Sequence, residues 1–183
     1  MGINFRPAEE NSSKVKALYE NAFPKRERAP FWLLRQKARQ SHVAFHSLYD
    51  DESWIGLLYT FEYADILLVL YLAIDDSCRS GGYGSKALTA LRADHPDKRI
   101  ILSIEQIDEQ AGNYEQRVKR RSFYEKNRYT STGIIVEELG QPFEMLISGG
   151  SITPEETRDV YRNLLGKIPS LLPLIRVRDL ISI

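Results

Sequence analysis

The chain has 183 residues, a length that suits one domain able to bury a core without disulfide or metal staples. Hydrophobic residues make up 43% and charged residues 27%, a soluble globular balance that argues against disorder. The 25 basic and 25 acidic residues cancel, so no global field draws the molecule to nucleic acid or an anionic membrane, and the single cysteine, Cys78, excludes an internal disulfide and a cysteine zinc cluster.

The opening MGINFRPAEENSSKVK lacks a signal-length apolar core, and Arg6 stands where a myristoylation motif needs Ser or Thr. A cytoplasmic location is the expectation. GINFRPA reads as a short strand leading to a helix near 11–22, capped by Asn11, Ser12 or Ser13, with Val15, Leu18, Tyr19 and Ala22 on one face. Pro24 interrupts the pattern, and a second helix is expected over about 29–39. Residues 42–49 and 53–61 read as strands joined by a turn at Asp50-Asp51. The apolar run 66–74 is too short to cross a bilayer as a helix and fits a central strand buried on both faces.

A glycine segment follows, then a helix over about 83–93, a strand at 99–105, and a charged helix over 112–127 with Val118 and Phe123 among its few apolar positions. Two strands, YTSTGIIVEEL and PFEMLISG, are joined by a turn at Gly140-Gln141. Thr153-Pro154-Glu155-Glu156 carries a capping box with proline in the first turn, opening a helix that ends near Gly166. The tail IPSLLPLIRVRDLISI is apolar but broken by Pro169 and Pro173. The order is that of a mixed α/β (α+β) chain.

RSGGYGSKAL at 79–88 places three glycines in four positions ahead of a helix. Glycine gives up the most backbone freedom on folding, so such a cluster points to a backbone that something must approach closely. A triphosphate loop needs Gly-Lys-Ser/Thr at its end, which is missing. Gly82-Tyr83-Gly84-Ser85-Lys86-Ala87 does match the dinucleotide pattern G-x-G-x-x-G/A, with Glu105 about 20 residues on. The spacer Asp75-Asp76-Ser77-Cys78-Arg79-Ser80 after Ile74 and the lack of repeated strand–helix alternation count against it. A third reading uses Arg79: R-x-x-G-x-G entering a helix, whose N–H groups and positive dipole end make an anion site.

At that motif the chain resembles the GNAT (Gcn5-related) N-acetyltransferase superfamily, whose acetyl-CoA pyrophosphate turn follows the fourth strand. The likeness continues through Phe123-Tyr124-Glu125-Lys126-Asn127, which is similar to the family's F/L-Y-E-K-x-G-F string, and covers about residues 3–148. Departures are Arg117 and Arg120, where the family often has asparagine and alanine, and Arg128, where it often has glycine.

The resemblance implies a central mixed, mostly antiparallel twisted sheet of about seven strands flanked by helices. It divides the chain into an acyl-CoA-binding catalytic domain, 1–150, and a C-terminal helix and tail, 151–183. It implies acetyl transfer from acetyl-CoA, without a metal, directly to a primary amine. Arg79 and the backbone of Ser80, Gly81, Gly82, Tyr83, Gly84 and Ser85 would hold the pyrophosphate. Backbone at Leu72, Ala73 and Ile74 would hold the pantetheine arm. Tyr124, a phenol with an unperturbed pKa of about 10, would protonate the leaving sulfur. Glu105 or Glu62, directly or through water, would take the amine's proton. An inactive acyl-CoA sensor of the same fold is the rival class.

Other features carry less. Cys78 could suggest an acyl-cysteine, but no placed base accompanies it. His42 and His46 share a strand face without a third ligand, so no metal is expected. Arg117–Arg121 reads as a solvated helix face rather than a nucleic-acid patch, with Arg121 a minor candidate for the cofactor's 3′-phosphate. In such a fold the acceptor, a small-molecule or peptide amine, would lie near Phe23–Trp32, the Gly140 hairpin or the tail, with Glu62, Glu105, Asp108 and Glu109 pointing to a cationic amine. The apolar tail would cover the site, pack on the sheet, or make a homodimer contact.

Overall fold

The computed structural model describes residues 2–79, 81–138, 140–166 and 175–179. Among the described residues, eight strands form one mostly antiparallel sheet: β1 (Ile3–Pro7), β2 (Val43–Asp50), β3 (Ser53–Tyr63), β4 (Ile66–Ile74), β5 (Arg99–Glu105), β6 (Thr130–Glu138), β7 (Gln141–Ser148) and β8 (Ile175–Asp179). Their order in the sheet is β1-β2-β3-β4-β5-β7-β6-β8. Five α-helices among the same residues accompany them: α1 (Ser12–Ala22), α2 (Phe31–Lys37), α3 (Tyr83–Asp94), α4 (Tyr114–Lys126) and α5 (Pro154–Leu165). The chain divides into two compact units, Met1–Glu62 with Val69–Pro96 and Tyr63–Leu68 with Asp97–Ile183.

In the first unit, β1, β2 and β3 pair antiparallel. α1 buries Val15, Leu18 and Tyr19, the face its spacing predicts. The chain enters α1 through a short 3-10 turn at Ala8–Asn11, and Asn11 makes no side-chain cap bond. Pro30 precedes α2, which is shorter than the expected 29–39 and is anchored by Leu34 and Phe31. Around α1 and α2 gathers an aromatic cluster. Tyr71 meets Tyr19 and Phe23 edge-on at 4.9 Å, and Phe45 meets Tyr59 at 5.1 Å. The Tyr71 hydroxyl donates to the Glu27 carbonyl at 3.1 Å and accepts from the Ala29 N–H at 3.3 Å, so the α1–α2 connection hangs on β4.

In the second unit, β5, β7, β6 and β8 pair antiparallel in that order. β5 buries Ile100, Ile101 and Leu102 in succession, which covers both of its faces. Arg99 is the local tie. Its guanidinium holds Asp65 through two hydrogen bonds, at 2.7 and 2.8 Å, and reaches the Ser151 carbonyl at 2.7 Å and Glu156 at 2.8 Å. Glu156 closes the expected capping box: the Thr153 hydroxyl accepts from the Glu156 N–H at 3.1 Å, and the Glu156 carboxylate accepts from the Thr153 N–H at 2.8 Å. The Arg99 ion pairs therefore fix the start of α5 and hold the Glu156 carboxyl below its usual range.

The eighth strand departs from the expected seven. Isoleucine and valine alternate with arginine in Ile175-Arg176-Val177-Arg178, a two-residue period hidden inside an apolar, proline-interrupted tail. The segment pairs with β6, and Arg178 binds Glu137 at 2.8 Å. The rest of the tail, 167–174 and 180–183, lies outside the described residues.

Candidate functional site

The sequence-derived residues fall into both units, and each set has its own local logic. β4 is buried at Ile66–Val69 and half-exposed at Leu70, Tyr71, Leu72 and Ile74, with Ala73 buried, and its residues from Val69 onward belong to the first unit. The strand expected to be covered on both faces is so covered only over its first half. Its later residues are the less covered part of the strand.

What fixes that end of β4 is Gly56 on β3. A Cβ built on Gly56 would stand 2.2 Å from the Ala73 carbonyl oxygen, far inside any contact distance. Glycine is required there by the close approach of two backbones. Two residues beyond Ala73, the Asp75 N–H donates to the Ile55 carbonyl at 2.9 Å. The sequence signal for Gly56 was a lone glycine within the apolar strand SWIGLLYTF.

The chain then turns in steps. The Asp75 carboxylate accepts from the Ser77 N–H at 3.0 Å and from its hydroxyl at 2.5 Å, which holds the Asp75 carboxyl below its usual range. A 3-10 turn at Asp76–Cys78 follows, and Arg79 pairs with Asp76 at 2.6 Å while both stay exposed. Ser80 lies outside the described residues. A Cβ on Gly81 would stand 2.8 Å from the Tyr83 ring. Gly82 caps α3 with φ +70, a left-handed conformation that side chains rarely adopt. Each of these two glycines therefore has its own physical reason.

Behind Gly82, the Lys86 N–H closes on the Gly82 carbonyl at 3.1 Å. The N–H groups of Tyr83, Gly84 and Ser85 fall in the first turn of α3, where a helix supplies no carbonyl partners of its own. Those donors and the dipole's positive end suit a phosphate. Tyr83 contributes its backbone there while its side chain works elsewhere. The phenol donates to Asp50 at 2.9 Å, and the Lys86 ammonium lies 4.5 Å over its ring. The hydrogen bond to the Asp50 carboxylate pushes the phenol pKa up. Beside the turn, a cleft of about 480 Å³ is lined by Lys14, Asn21, Trp54, Asp75, Asp76 and Arg79 among others. Glu62 stands at the far end of β3 from Gly56, six residues or about 20 Å along the strand, where its N–H donates to the His42 carbonyl.

In the second unit, Glu105 ends β5 with an 11% exposed side chain. Asn113 donates to it at 3.1 Å, Arg120 at 2.7 Å, and Arg117 lies at 3.4 Å. Burial would raise its carboxyl, but the Asn113 hydrogen bond and the two guanidinium charges outweigh it and hold the group below its usual range. Arg117 also donates to Asn113 and to the Gln106 carbonyl. The two arginines that depart from the family pattern thus tie the start of α4 to the end of β5. Arg121 pairs with the buried Glu144 and lies 3.8 Å from Glu125, so its charge is committed inside the unit.

Tyr124 sits half-buried near the end of α4, with ring contacts to Phe123 at 5.0 Å and Tyr129 at 5.7 Å. Its carbonyl accepts from the N–H groups of Asn127 and Tyr129, both at 3.0 Å. Arg128 closes the helix at φ +65, taking the left-handed place that glycine usually fills. Burial pushes the Tyr124 phenol above its ordinary value, with the Arg120 charge opposing it, so the group is protonated at neutral pH. Among the described residues, no group of three His, Cys, Asp or Glu could hold a metal ion. No helix among them is long and apolar enough to cross a membrane.

Comparison with known proteins bears on the fold. A protein from Bacteroides thetaiotaomicron assigned to the GNAT acetyltransferases superposes with a TM-score of 0.73 at 19% identity, covering 92% of this chain and 97% of its own. An aminoglycoside 6′-N-acetyltransferase in complex with coenzyme A gives 0.62 at 16% identity, covering 81% and 96%. The ribosomal-protein-S18-alanine N-acetyltransferase from Escherichia coli gives 0.60 at 13%, covering 82% and 94%. No protein-family model and no curated sequence matches the chain.

Two outcomes follow from this geometry. Gly56→Ala forces β3 and β4 apart at Ala73 and should destabilise the protein by about 1–3 kcal/mol in urea titration; an unchanged midpoint would refute the close approach. Glu105 contributes stability above its unfolded value near 4.5, and that contribution is lost as pH falls through its lowered folded value. The stability gap between wild type and Glu105→Gln should therefore shrink on acidification below about pH 4.5. A gap that is constant from pH 7 to pH 3 would contradict the ion-pair assignment.

Proposed function

We propose that this chain, which has the fold of the GNAT N-acetyltransferases, moves an acetyl group from acetyl-CoA directly to a primary amine. The observation that carries the proposal is the entrance to α3. There a left-handed Gly82, a side-chain-free Gly81 and the first-turn N–H groups follow a strand whose last residues are only partly covered. In this reading the N–H groups from Gly81 to Ser85 bind the pyrophosphate, joined by Ser80 and by the Arg79 charge. Strand backbone at Leu72, Ala73 and Ile74 pairs with the pantetheine amides. The contacts are main-chain, which is why an apolar strand and glycines can make a polar site.

The chemistry is a displacement at a thioester carbonyl. The amine nitrogen forms a bond to the carbonyl carbon, the C–S bond breaks, and the amine loses a proton. The departing sulfur takes a proton from Tyr124, whose phenol is held in its protonated form by burial. The two carboxylates expected as bases are poorly disposed for direct abstraction. Glu105 is clamped by Asn113, Arg117 and Arg120, which lowers its basicity, and Glu62 stands about 20 Å along β3 from Gly56. The proposal therefore passes the amine's proton to water, with Glu105 as a positioning residue for α4.

Fold relatives act on an aminoglycoside and on the alanine of a ribosomal protein, both amines. An amine panel spanning polyamines, amino acids, aminoglycosides and peptide N-termini, read by thiol release from acetyl-CoA, tests the reading. Amine-dependent thiol release supports it. Tight acetyl-CoA binding with no turnover on any amine would favour an acyl-CoA sensor, and tight NADH binding without CoA binding would overturn the reading altogether. Tyr124→Phe should lower kcat about 100-fold while leaving the Kd for acetyl-CoA unchanged. A variant with undiminished kcat would remove Tyr124 as the acid.

A further inference from the structure

Charge cancels over the whole chain but not along it. Between Lys25 and Arg39 six side chains are basic, and Glu27 is the one acid among them. Arg28 is committed to the Glu20 carbonyl and Arg26 lies against Glu27. Arg35 and Arg39 are exposed, and their guanidinium groups make no hydrogen bond or ion pair among the described residues.

An aromatic ring stands among these charges. Trp32 is 66% exposed, although the same helix buries Leu34 and packs Phe31 against Tyr19 and Phe45. The helix is anchored without Trp32, and the indole is left facing solvent. Helical spacing sets Trp32, Arg35 and Gln36 on one exposed face of α2, and Arg39 follows just beyond its end.

We propose that this face docks a single-stranded polynucleotide, with a base stacked on the Trp32 indole and its flanking phosphates taken by Arg35 and Arg39. An exposed aromatic offers a stacking platform that accepts any base, and a guanidinium fork matches phosphate oxygens in pairs. Residues three and four apart on a helix are close neighbours, so a base on the indole brings its own backbone over Arg35. An anionic membrane surface fits less well. Insertion needs a broad apolar face, and the neighbours of Trp32 on its face are Arg35, Gln36 and Arg39. The zero net charge of the chain argues against a global nucleic-acid field, yet a local cluster needs none.

The test is fluorescence anisotropy of a fluorescein-labelled 12-nucleotide single-stranded RNA of mixed sequence, titrated with the full chain at low salt. Binding is expected to quench tryptophan emission and to weaken with salt at a log–log slope of about −1.4 for two phosphates. Trp32→Ala should weaken it at least fivefold, and the Arg35→Glu, Arg39→Glu double variant should abolish it. Arg158→Glu, an exposed change of equal sign on α5, should leave it intact. The proposal is overturned by no binding at low salt, or by undiminished binding of Trp32→Ala. Equal binding of a polyglutamate peptide would overturn it too, as would binding to phosphatidylserine vesicles but not RNA. Thermal melts confirm that each variant is folded, and none of these readouts depends on acetyl transfer.

Discussion

Two backbones meet at Gly56 and Ala73 with no room for a side chain, and the geometry of the first unit's site descends from that contact. Because β3 lies so close, the Ala73 carbonyl is pinned and the Asp75 N–H can reach back to Ile55. That bond ends β4 at a defined residue. Asp75 then caps its own turn through Ser77, the 3-10 turn at Asp76–Cys78 advances the chain, and Gly82 reverses the sign of φ to start α3. Tyr83 braces the helix entrance by bonding Asp50 at the end of β2. Each step uses a short-range constraint, and together they leave a row of N–H donors at the start of a helix.

The second unit works by a different device, ion pairs placed where polar groups leave solvent. Glu105 and Glu144 are both poorly exposed carboxylates, and each is matched by arginines of α4. Removing one partner from such a pair leaves a charge without compensation, so these pairs specify where α4 sits more than they add stability. α4 buries none of its residues fully, and these ion pairs act beside the partly buried Phe123 and Tyr124 rings. Tyr124 lies half-buried on the same helix. A phenol so placed keeps its proton across the physiological range.

Much of the architecture was legible because its signals are local. The apolar run 66–74 and the RIILSIE segment coincide with β4 and β5, since composition and flanking turns bound each one tightly. The Thr153–Glu156 capping box marked the start of α5 to the residue. The R-x-x-G-x-G pattern located the turn, and the structure supplied the separate reasons for Gly81 and Gly82. What stayed hidden depends on partners remote in sequence. β8 looked like an apolar tail because strand alternation over five residues competes with two nearby prolines. Glu105 reads as a strand-end carboxylate until Asn113, Arg117 and Arg120 are folded against it. Gly56 carried a visible signal, a glycine inside a strand, but not the identity of the atom that excludes a side chain.

In the proposed function, backbone amides rather than side chains make the phosphate cradle. The most direct measurement is the amide spectrum of isotope-labelled protein titrated with coenzyme A. The resonances of Gly81, Gly82, Tyr83, Gly84 and Ser85 should shift most and gain protection from hydrogen exchange. Coenzyme A that binds while those five amides stay unmoved would contradict the claim.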